Sequence, residues 1–577
     1  MVAKISIFKR LILALALMVI TIVFLLITIQ NKAFMRECFH RGSYFIILTL
    51  FYFWLLTPCE AWHTSREKLK PLAGTYGWGI LFSTFIAALI FISSPSQYRV
   101  LADETNLIGT SQAMTCDRRT DGVLEGVWFY QTFHPDQASR CMPTRPFLFP
   151  FLVHLVSVAN GYHAFNAFLA NFIALVMLFF LVYVLIYQFW ESARWSYTAV
   201  FLIAAQPAIS LTATSAAFDL VAGLFLVVCF ACLKWYLEEP SPIRLQLLWV
   251  NLLMLANVRY ESIVFFVIAI FVLAFAGALK FRNFTSSYAY CLTPFFLLPL
   301  IWQRILIPRH PFGEPSGVKP FSATHLLHNS GVFFKNLFSM ALHVPYANLV
   351  NVVGILSILF FCILFLRGRW ATTRNERVLL AFAVLCFCAH WLITLSFFDA
   401  TIELATNARK YVLPCIALSV LAIMLIRRLP LFTSQKYLGV LFSFSMFLFY
   451  QPFAIENRYT NTLSLTREYR ICLDFLTEQE NHDFLVVADR PGLYTVHEFG
   501  AISFKTANQK KDEVLRNLRR HLYGVFIIQE ILYDGLKPTE ATALDPAYKL
   551  QSVYALQNTA TSFVQISKAL ISANDLK

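Results

Sequence analysis

The feature that most limits the fold of this chain is a series of long apolar stretches, which recurs from the first residues to about residue 455. The first stretch, Leu11–Ile29, is long enough to cross a bilayer, because a transmembrane helix needs about 20 mainly apolar residues. Only 14% of the 577 residues are charged, whereas soluble domains carry roughly 25%. We therefore predict a polytopic α-helical membrane protein.

About thirteen transmembrane helices are expected from these stretches. With the basic N-terminus inside, this number places the C-terminus outside. The apolar segment Phe147–Ala159 is too short to span, and we expect it to lie along the interface or to re-enter the membrane. The predicted spans are Leu11–Ile29, Tyr44–Pro58, Gly77–Ser93, His163–Phe189, Tyr197–Ala213, Phe218–Trp235, Leu247–Asn257, Tyr260–Leu279, Ser286–Ile307, Leu349–Leu366, Val378–Phe398, Tyr411–Ile426 and Tyr437–Phe453.

Three regions follow from this pattern: N-terminal transmembrane segments over residues 1–76, a transmembrane module over residues 77–455, and a soluble domain over residues 456–577. Two polar external loops are expected in the module, at residues 94–146 and 308–345. In the last region, DFLVVAD and YGVFIIQEIL are typical of strands and QKKDEVLRNLRRHL of an amphipathic helix. We predict an external α/β domain there.

The net charge of +14 does not indicate nucleic-acid binding, since no basic stripe with interleaved aromatic residues occurs in a soluble segment. Lys and Arg residues instead collect in short loops that set membrane orientation. One basic segment, near Lys32 and Arg36, falls on the outer side. Either these charges are tolerated there, or the first two apolar segments form a hairpin.

Two adjacent carboxylates, Asp103 and Glu104, lie in the first polar loop. Such a pair beside a membrane can divide the work of catalysis, with one acid taking a proton from an acceptor hydroxyl and the other orienting the acceptor. The alternative is a pair of ordinary solvated acids. Cys116 and Cys141 follow in the same loop, and they could form a disulfide if the loop faces an oxidising compartment.

A third acid, Asp219, lies at the end of a predicted span. An acid in this position favours a functional role, although an Asp also caps a helix favourably. Arg259 and Glu261 lie between two apolar segments. On a helix their two-residue spacing would keep them from facing each other, so one of them could pair with Asp219 or with a ligand. A structural ion pair between helices is the competing interpretation.

Three cations precede apolar segments: Arg145, Arg409 and Lys410. Cations at this position suit a lipid-linked phosphate, but they also reach the interface simply to stay hydrated. His325 and His328 have helical spacing in the second loop, and without a nearby carboxylate they are weak evidence for a metal.

Taken together, these motifs resemble the GT-C class of membrane glycosyltransferases, in particular the branch of protein O-mannosyltransferases and the aminoarabinose transferase of lipid A. The resemblance rests on four segments and on their order along the chain. The first two external segments of that family are similar to ADETNLIGTSQAM and TRPFLFPFLVHL here. The later acid and the basic residue before a late span are similar to SAAFDL and ARKYVLP. The segments Leu11–Ile29 and Tyr44–Pro58 are extra to the family pattern.

The resemblance implies inverting transfer of a sugar from a polyprenyl-phosphate donor to an envelope lipid, glycan or protein. Asp103 would be the general base, while Glu104 and Asp219 would position the acceptor. Arg409, Lys410 and Arg145 would hold the donor phosphate. No cofactor is expected, although the residues leave open a divalent metal at the three acids. We expect a bacterial inner membrane, with the site and the C-terminal domain in the periplasm.

Three other functions compete with transfer of a single sugar. A transporter or flippase of lipid-linked glycans would also use a basic outer face, but it predicts acids within spans and often internal repeats. A polymerase or ligase would move whole glycans. A scaffold would use the external domain to bind a partner.

Overall fold

The computed structural model divides the chain into two compact units. The first comprises Met1–Gln97, Thr144–Val153 and Ala167–Glu456, and the second comprises Tyr98–Pro143, His154–Asn166 and Asn457–Lys577. The second unit therefore combines the predicted C-terminal domain with most of the first polar loop. The structure describes residues 2–69, 73–126, 128–129, 132–133, 139–279, 288–307, 319–341, 344–367, 373–398, 400, 405–435, 437–455, 464–520, 523–557 and 561–570.

The first unit is helical. Its helices, including two 3-10 segments and one helix that continues into the second unit, are Val2–Gln30, Lys32–Leu69, Ala73–Ser93, Leu148–Asn160, Asn166–Trp190, Ala193–Ala204, Pro207–Ala213, Asp219–Glu238, Pro242–Ala256, Tyr260–Ser262, Ile263–Phe275, Tyr288–Cys291, Thr293–Leu306, Ala323–Phe338, Leu349–Leu366, Arg374–Ser396, Ala405–Tyr411, Val412–Ile426, Pro430–Ser434 and Leu438–Ile455.

Eight helices among the described residues are long and apolar enough to cross a membrane, and nine spans result if one bent pair counts as a span. Five shorter apolar helices accompany them. A helix overlaps each of the predicted spans, so the polytopic α-helical architecture is confirmed. The number of helices that cross the membrane stays a prediction.

The bent pair is Ala193–Ala204 and Pro207–Ala213, with an angle of 74° at the break. Pro207 has no backbone N–H to continue the first helix. Gln206 stands at the break and donates to Asn351 and Ser419 at 2.8 and 2.9 Å, while Asn348 donates to it at 2.8 Å. This buried network satisfies polar groups that would otherwise destabilise the membrane interior.

The two N-terminal helices, Val2–Gln30 and Lys32–Leu69, are separated at Asn31 and both pack on Thr293–Leu306. Phe24 and Phe39 contact Trp302, with ring centroids 5.9 and 6.2 Å apart. The second helix runs on to Leu69, past the predicted end of its span at Pro58.

The second unit contains a mixed sheet. Its strand order is Gly500–Ile502, Phe484–Val487, Gly524–Leu532, Ser562–Leu570 and Lys549–Gln557, with Lys537–Pro538 paired to Gly524–Leu532. The first three strands are parallel, and the long strands that follow are antiparallel. All side chains of Phe484–Val487 are buried, as a strand covered on both faces requires. The small sheet domain predicted after residue 456 is confirmed.

The amphipathic helix predicted in this domain is Lys511–Arg520. Val514 and Leu518 stand four residues apart on its buried face and pack on the sheet through Leu485 and Val525. The remaining helical segments of the domain are Ser464–Thr477, Gly492–Thr495, Phe504–Gln509 and the 3-10 turn Glu540–Thr542.

Both polar loops contain regular structure. The first includes the helix Leu101–Asp117, called here the acidic-pair helix, and two short strand pairs, Gly122–Glu125 with Ser139–Cys141 and Trp128–Phe129 with Thr132–Phe133. The second includes Ala323–Phe338, whose N-cap Ser322 accepts from the His325 amide. Residues 308–318 and 342–343 of the second loop lie outside the described residues.

Candidate functional site

The two predicted acids of the second unit occupy different environments. Glu104 is fully buried, and its carboxylate accepts the backbone N–H of Arg99 at 3.1 and 3.2 Å and that of Val100 at 3.0 Å. Val100 is the N-cap of the acidic-pair helix, so these bonds satisfy amide groups that a helix start leaves open. Glu104 thus fixes where the helix begins.

Asp103 lies in the first turn of the same helix and is partly exposed. An acid in the first turn interacts favourably with the positive end of the helix dipole. Because the Glu104 carboxylate is hydrogen-bonded to backbone amides, Asp103 is the member of the pair that a substrate can approach. The sequence alone does not distinguish the two acids.

The predicted acid and cations of the first unit come together around Asp219. This residue begins the helix Asp219–Glu238, and only 2% of its side chain is exposed. Its Oδ1 accepts from Arg259 Nη1 at 2.6 Å, and its Oδ2 accepts no hydrogen bond from any described residue. The pairing of Asp219 with Arg259, one of the two alternatives drawn from the sequence, is therefore confirmed.

Arg259 also reaches Glu261, with Nη2 and Oε1 3.4 Å apart. The expectation that these two residues do not face each other is wrong, because Arg259 is not helical. It is the extended N-cap, with φ −138° and ψ 144°, of the short 3-10 turn Tyr260–Ser262. Arg259 thus bridges two acids from different segments.

Arg409 and Lys410 lie on the 3-10 segment Ala405–Tyr411, called here the basic turn. Arg409 is close enough to Arg259 for their charges to interact. Lys410 donates from Nζ to the Ala400 carbonyl at 3.3 Å, and its own carbonyl accepts from His390 Nε2 at 2.9 Å. Tyr411 anchors the end of the turn, since its ring packs 4.3 Å from that of Tyr346.

Arg145 joins this cluster through Tyr260. Gln303 donates to the Arg145 carbonyl at 3.0 Å, and the Tyr260 hydroxyl donates to the carbonyl of Thr144. The charge of Arg145 acts on Tyr260, and the Arg304 guanidinium lies 4.1 Å from the centre of the Tyr260 ring.

Arg304 and His390 were not among the residues predicted from the sequence. Each is an ionisable residue inside an apolar stretch, a position where a polar group is unfavourable and usually functional. That signal could have identified both. The first unit therefore holds five neighbouring cations and two acids, which we call the basic cluster: Arg145, Arg259, Arg304, Arg409 and Lys410 with Asp219 and Glu261.

The remaining predicted groups are cysteines and histidines of the two polar loops. Cys116 and Cys141 are free thiols, and burial raises the pKa of Cys116 to about 11. His325 lies at the start of its helix and donates its amide to Ser322. Among the described residues, no group of three or more His, Cys, Asp or Glu could hold a metal ion.

No protein-family model matches the sequence, and no curated protein was found to be similar to it. The fold is similar to the crystal structure of ArnT from Cupriavidus metallidurans bound to undecaprenyl phosphate, with TM-score 0.52, 11% identity and coverage of 85% of this chain and 98% of that chain. The apo structure of the same protein gives TM-score 0.45, 13% identity and coverage of 86% and 98%.

The first of these structures shows that the chain has the fold of ArnT. The fold class predicted from the sequence is thereby confirmed.

Proposed function

We propose that this GT-C chain is an inverting glycosyltransferase, which moves a sugar from a polyprenyl-phosphate donor to a lipid, glycan or protein of the cell envelope. The observation that carries the proposal is the basic cluster. Among the described residues, five cations and two acids gather there at the ends of apolar helices, and a lipid-linked phosphate is an anion that reaches such a place by lateral diffusion. ArnT, whose fold this chain shares, was crystallised with undecaprenyl phosphate.

The basic cluster would stabilise the leaving phosphate. As the bond from the sugar to the phosphate breaks, negative charge grows on the phosphate oxygens, and fixed cations lower the energy of that state. Arg409, Lys410 and Arg145 are the proposed phosphate ligands, and Arg304 is added to them. Arg259 is held by Asp219 and Glu261, so it orients the site as a supporting residue.

Asp103 is the proposed general base. It would take the proton of the acceptor hydroxyl as the oxygen attacks the sugar carbon from the face opposite the phosphate, which inverts that carbon. Glu104 supports it by fixing the start of the helix. Asp219 would position the acceptor, since its Oδ2 has an open lone pair for a hydroxyl. We expect no metal in this reaction and place it at the outer face of a bacterial inner membrane.

The test uses the full chain in nanodiscs with polyprenyl-phosphate sugars and envelope acceptors. Asp103→Asn should lower turnover by about 10² to 10⁴-fold, as removal of a general base does, and leave donor binding intact. The matched control is Asp512→Asn, which changes an exposed acid of the same unit. Equal turnover in Asp103→Asn and the wild type would remove Asp103 from the mechanism.

One observation favours a second candidate, a flippase of lipid-linked glycans. The broken span at Gln206 resembles the discontinuous helices that bind substrates in transporters. A flippase would bind lipid phosphate, consume no donor and be indifferent to Asp103→Asn.

A further inference from the structure

The acidic-pair helix is held by a short segment of the C-terminal sheet domain, Gly492–Phe499, which we call the docking segment. Three hydrogen bonds from separate parts of the unit reach this segment, and two of them come from the acidic-pair helix or the residues that lead into it. They are Tyr98 Oη to His497 Nε2 at 3.2 Å, Gln112 Nε2 to the Thr495 carbonyl at 3.1 Å, and Tyr162 Oη to the Val496 carbonyl at 2.7 Å.

The bond between Tyr98 and His497 joins two neutral groups. Burial, reinforced by the Glu104 carboxylate, raises the pKa of the Tyr98 hydroxyl well above its usual range. Burial lowers the pKa of His497 to about 4. At neutral pH the hydroxyl therefore keeps its proton and the imidazole is uncharged, so this is a hydrogen bond between neutral groups in either tautomer of His497.

This bond lies next to the groups that fix the start of the helix. Tyr98 directly precedes Arg99 and Val100, whose amides donate to Glu104. Tyr98 and Arg99 are both more than nine-tenths buried. A displacement of Tyr98 would therefore move the two amides that hold Glu104, and with them the first turn that carries Asp103.

A second connection lies beyond the far end of the helix. Gly126 and Ala501 exchange two backbone hydrogen bonds of 3.0 and 2.8 Å, which join the strand after the helix to the edge of the sheet. Thr495 Oγ1 lies 3.5 Å from the Val123 carbonyl on the same strand. The acidic-pair helix is thus held at its start, along its length and through the strand that follows.

We propose that the C-terminal sheet domain positions Asp103, with His497 as a positioning residue that acts through Tyr98 and Glu104. This inference rests on the proposed function, in which Asp103 is the base. Its physical basis is the sensitivity of proton transfer to geometry, since a misplacement of about 1 Å can lower a rate about 100-fold. The domain would then be part of the catalytic apparatus and not a separate partner-binding module.

The experiment compares full-length wild type, His497→Ala and His497→Gln in nanodiscs. It measures amide hydrogen exchange over residues 98–117 together with kcat and the donor KM for sugar transfer. His497→Ala should raise exchange at the helix start about tenfold and lower kcat about tenfold with the donor KM unchanged. His497→Gln should restore both, because its side-chain amide can either accept from or donate to the Tyr98 hydroxyl.

Two further variants sharpen the test. His482→Ala changes another histidine of the same domain, whose Nε2 lies 3.3 Å from the Thr477 carbonyl, and it should behave like the wild type. Tyr98→Phe removes the hydroxyl that bonds His497 and should reproduce the effect of His497→Ala. The double variant Tyr98→Phe with His497→Ala should show little more exchange, and little further loss of kcat, than either single variant.

The proposal would be overturned if amide hydrogen exchange at the helix start is unchanged in His497→Ala, or if it rises equally in His482→Ala. Raised exchange with unchanged kcat would show that the contact holds the helix without serving turnover, and this too overturns it. If the wild type transfers no sugar, the proposed function fails. In that event the positioning of a catalytic base fails with it, while exchange still decides whether His497 holds the helix.

Discussion

The two units of the molecule handle charge in different ways. In the second unit, two acids and two arginines form a closed network. Arg140 bonds Asp117 at 2.7 Å and Asp121 at 3.2 Å, and Arg119 bonds Asp121 at 2.8 Å. The first unit instead gathers five cations around two acids, and one oxygen of Asp219 accepts no hydrogen bond from the described residues.

This difference is the basis for assigning separate roles to the two sets of charges. A buried ion pair is tolerated when each charge is compensated within the fold, and the network of the second unit meets that condition. In the basic cluster, five cations lie with two acids among the described residues. A lipid phosphate is an anion that would interact favourably with such a set of cations.

The largest effect is expected at the centre of the basic cluster. Arg259→Gln leaves the Asp219 carboxylate buried without its cation, and loss of one partner of a buried pair lowers stability by about 3–5 kcal/mol. Thermal unfolding of the protein in detergent measures this loss. The double variant Asp219→Asn with Arg259→Gln should recover most of it, and equal destabilisation in the single and double variants would contradict the pairing.

The next effect is the pH dependence of stability that arises from the buried, uncharged His497 of the second unit. The pKa of His497 is lowered to about 4, so the unfolded chain binds more protons between pH 6.5 and 4. The contribution of His497 to the free energy of unfolding is fully present above pH 6.5, and up to about 3 kcal/mol of it is lost as the pH falls to 4. Amide exchange of residues 98–117, corrected for intrinsic rates, measures the change.

The effect of pH on the stability contribution of Glu468 has the opposite sign. Burial and the nearby Glu530 carboxylate raise its pKa to about 7, so its contribution is present below pH 4.5 and is lost as the pH rises to 7. The control is therefore the difference between wild type and His497→Gln at each pH. Relative to His497→Gln, the wild type should lose stability as the pH falls, and a difference that stays constant with pH would contradict the assignment.

A smaller effect is expected in the closed network. Arg140→Gln removes the partner of Asp117, whereas Asp121 keeps Arg119. Hydrogen bonds to charged groups contribute about 1.5–3 kcal/mol, and these residues are partly exposed, so a loss of about 1–2 kcal/mol is expected. Binding of undecaprenyl phosphate should not change. Weaker binding in this variant would mean that the two sets of charges do not have separate roles.

The smallest effect is expected at the basic turn. Arg409→Gln should weaken undecaprenyl-phosphate binding about tenfold, or ~1.4 kcal/mol, because it removes one of the proposed phosphate ligands. A binding titration at two salt concentrations measures it, and the variant should show the weaker salt dependence. Loss of stability with unchanged binding would assign Arg409 a structural role.

Much of the fold followed from local patterns. Apolar stretches predicted the membrane helices, and shorter apolar runs predicted the strands Phe484–Val487 and Gly524–Leu532, because both signals come from neighbouring residues. The site was predicted in part. Asp219 and Arg259 were recognised as charges between apolar segments, while Arg304 and His390 lay unnoticed within such segments. Arg259 and Glu261 face each other because Arg259 is an extended N-cap residue. Their two-residue spacing in the sequence does not reveal this backbone conformation.

The sequence by itself determined that this chain is a polytopic helical membrane protein with a small sheet domain, since burial of apolar surface depends on composition and periodicity. Tertiary structure decided which charges compensate one another. It placed the adjacent residues Asp103 and Glu104 in different environments, because the Glu104 carboxylate accepts hydrogen bonds from the backbone amides at the helix start. It also joined the docking segment to the acidic-pair helix across nearly four hundred residues, a distance between Tyr98 and His497 that no local pattern encodes.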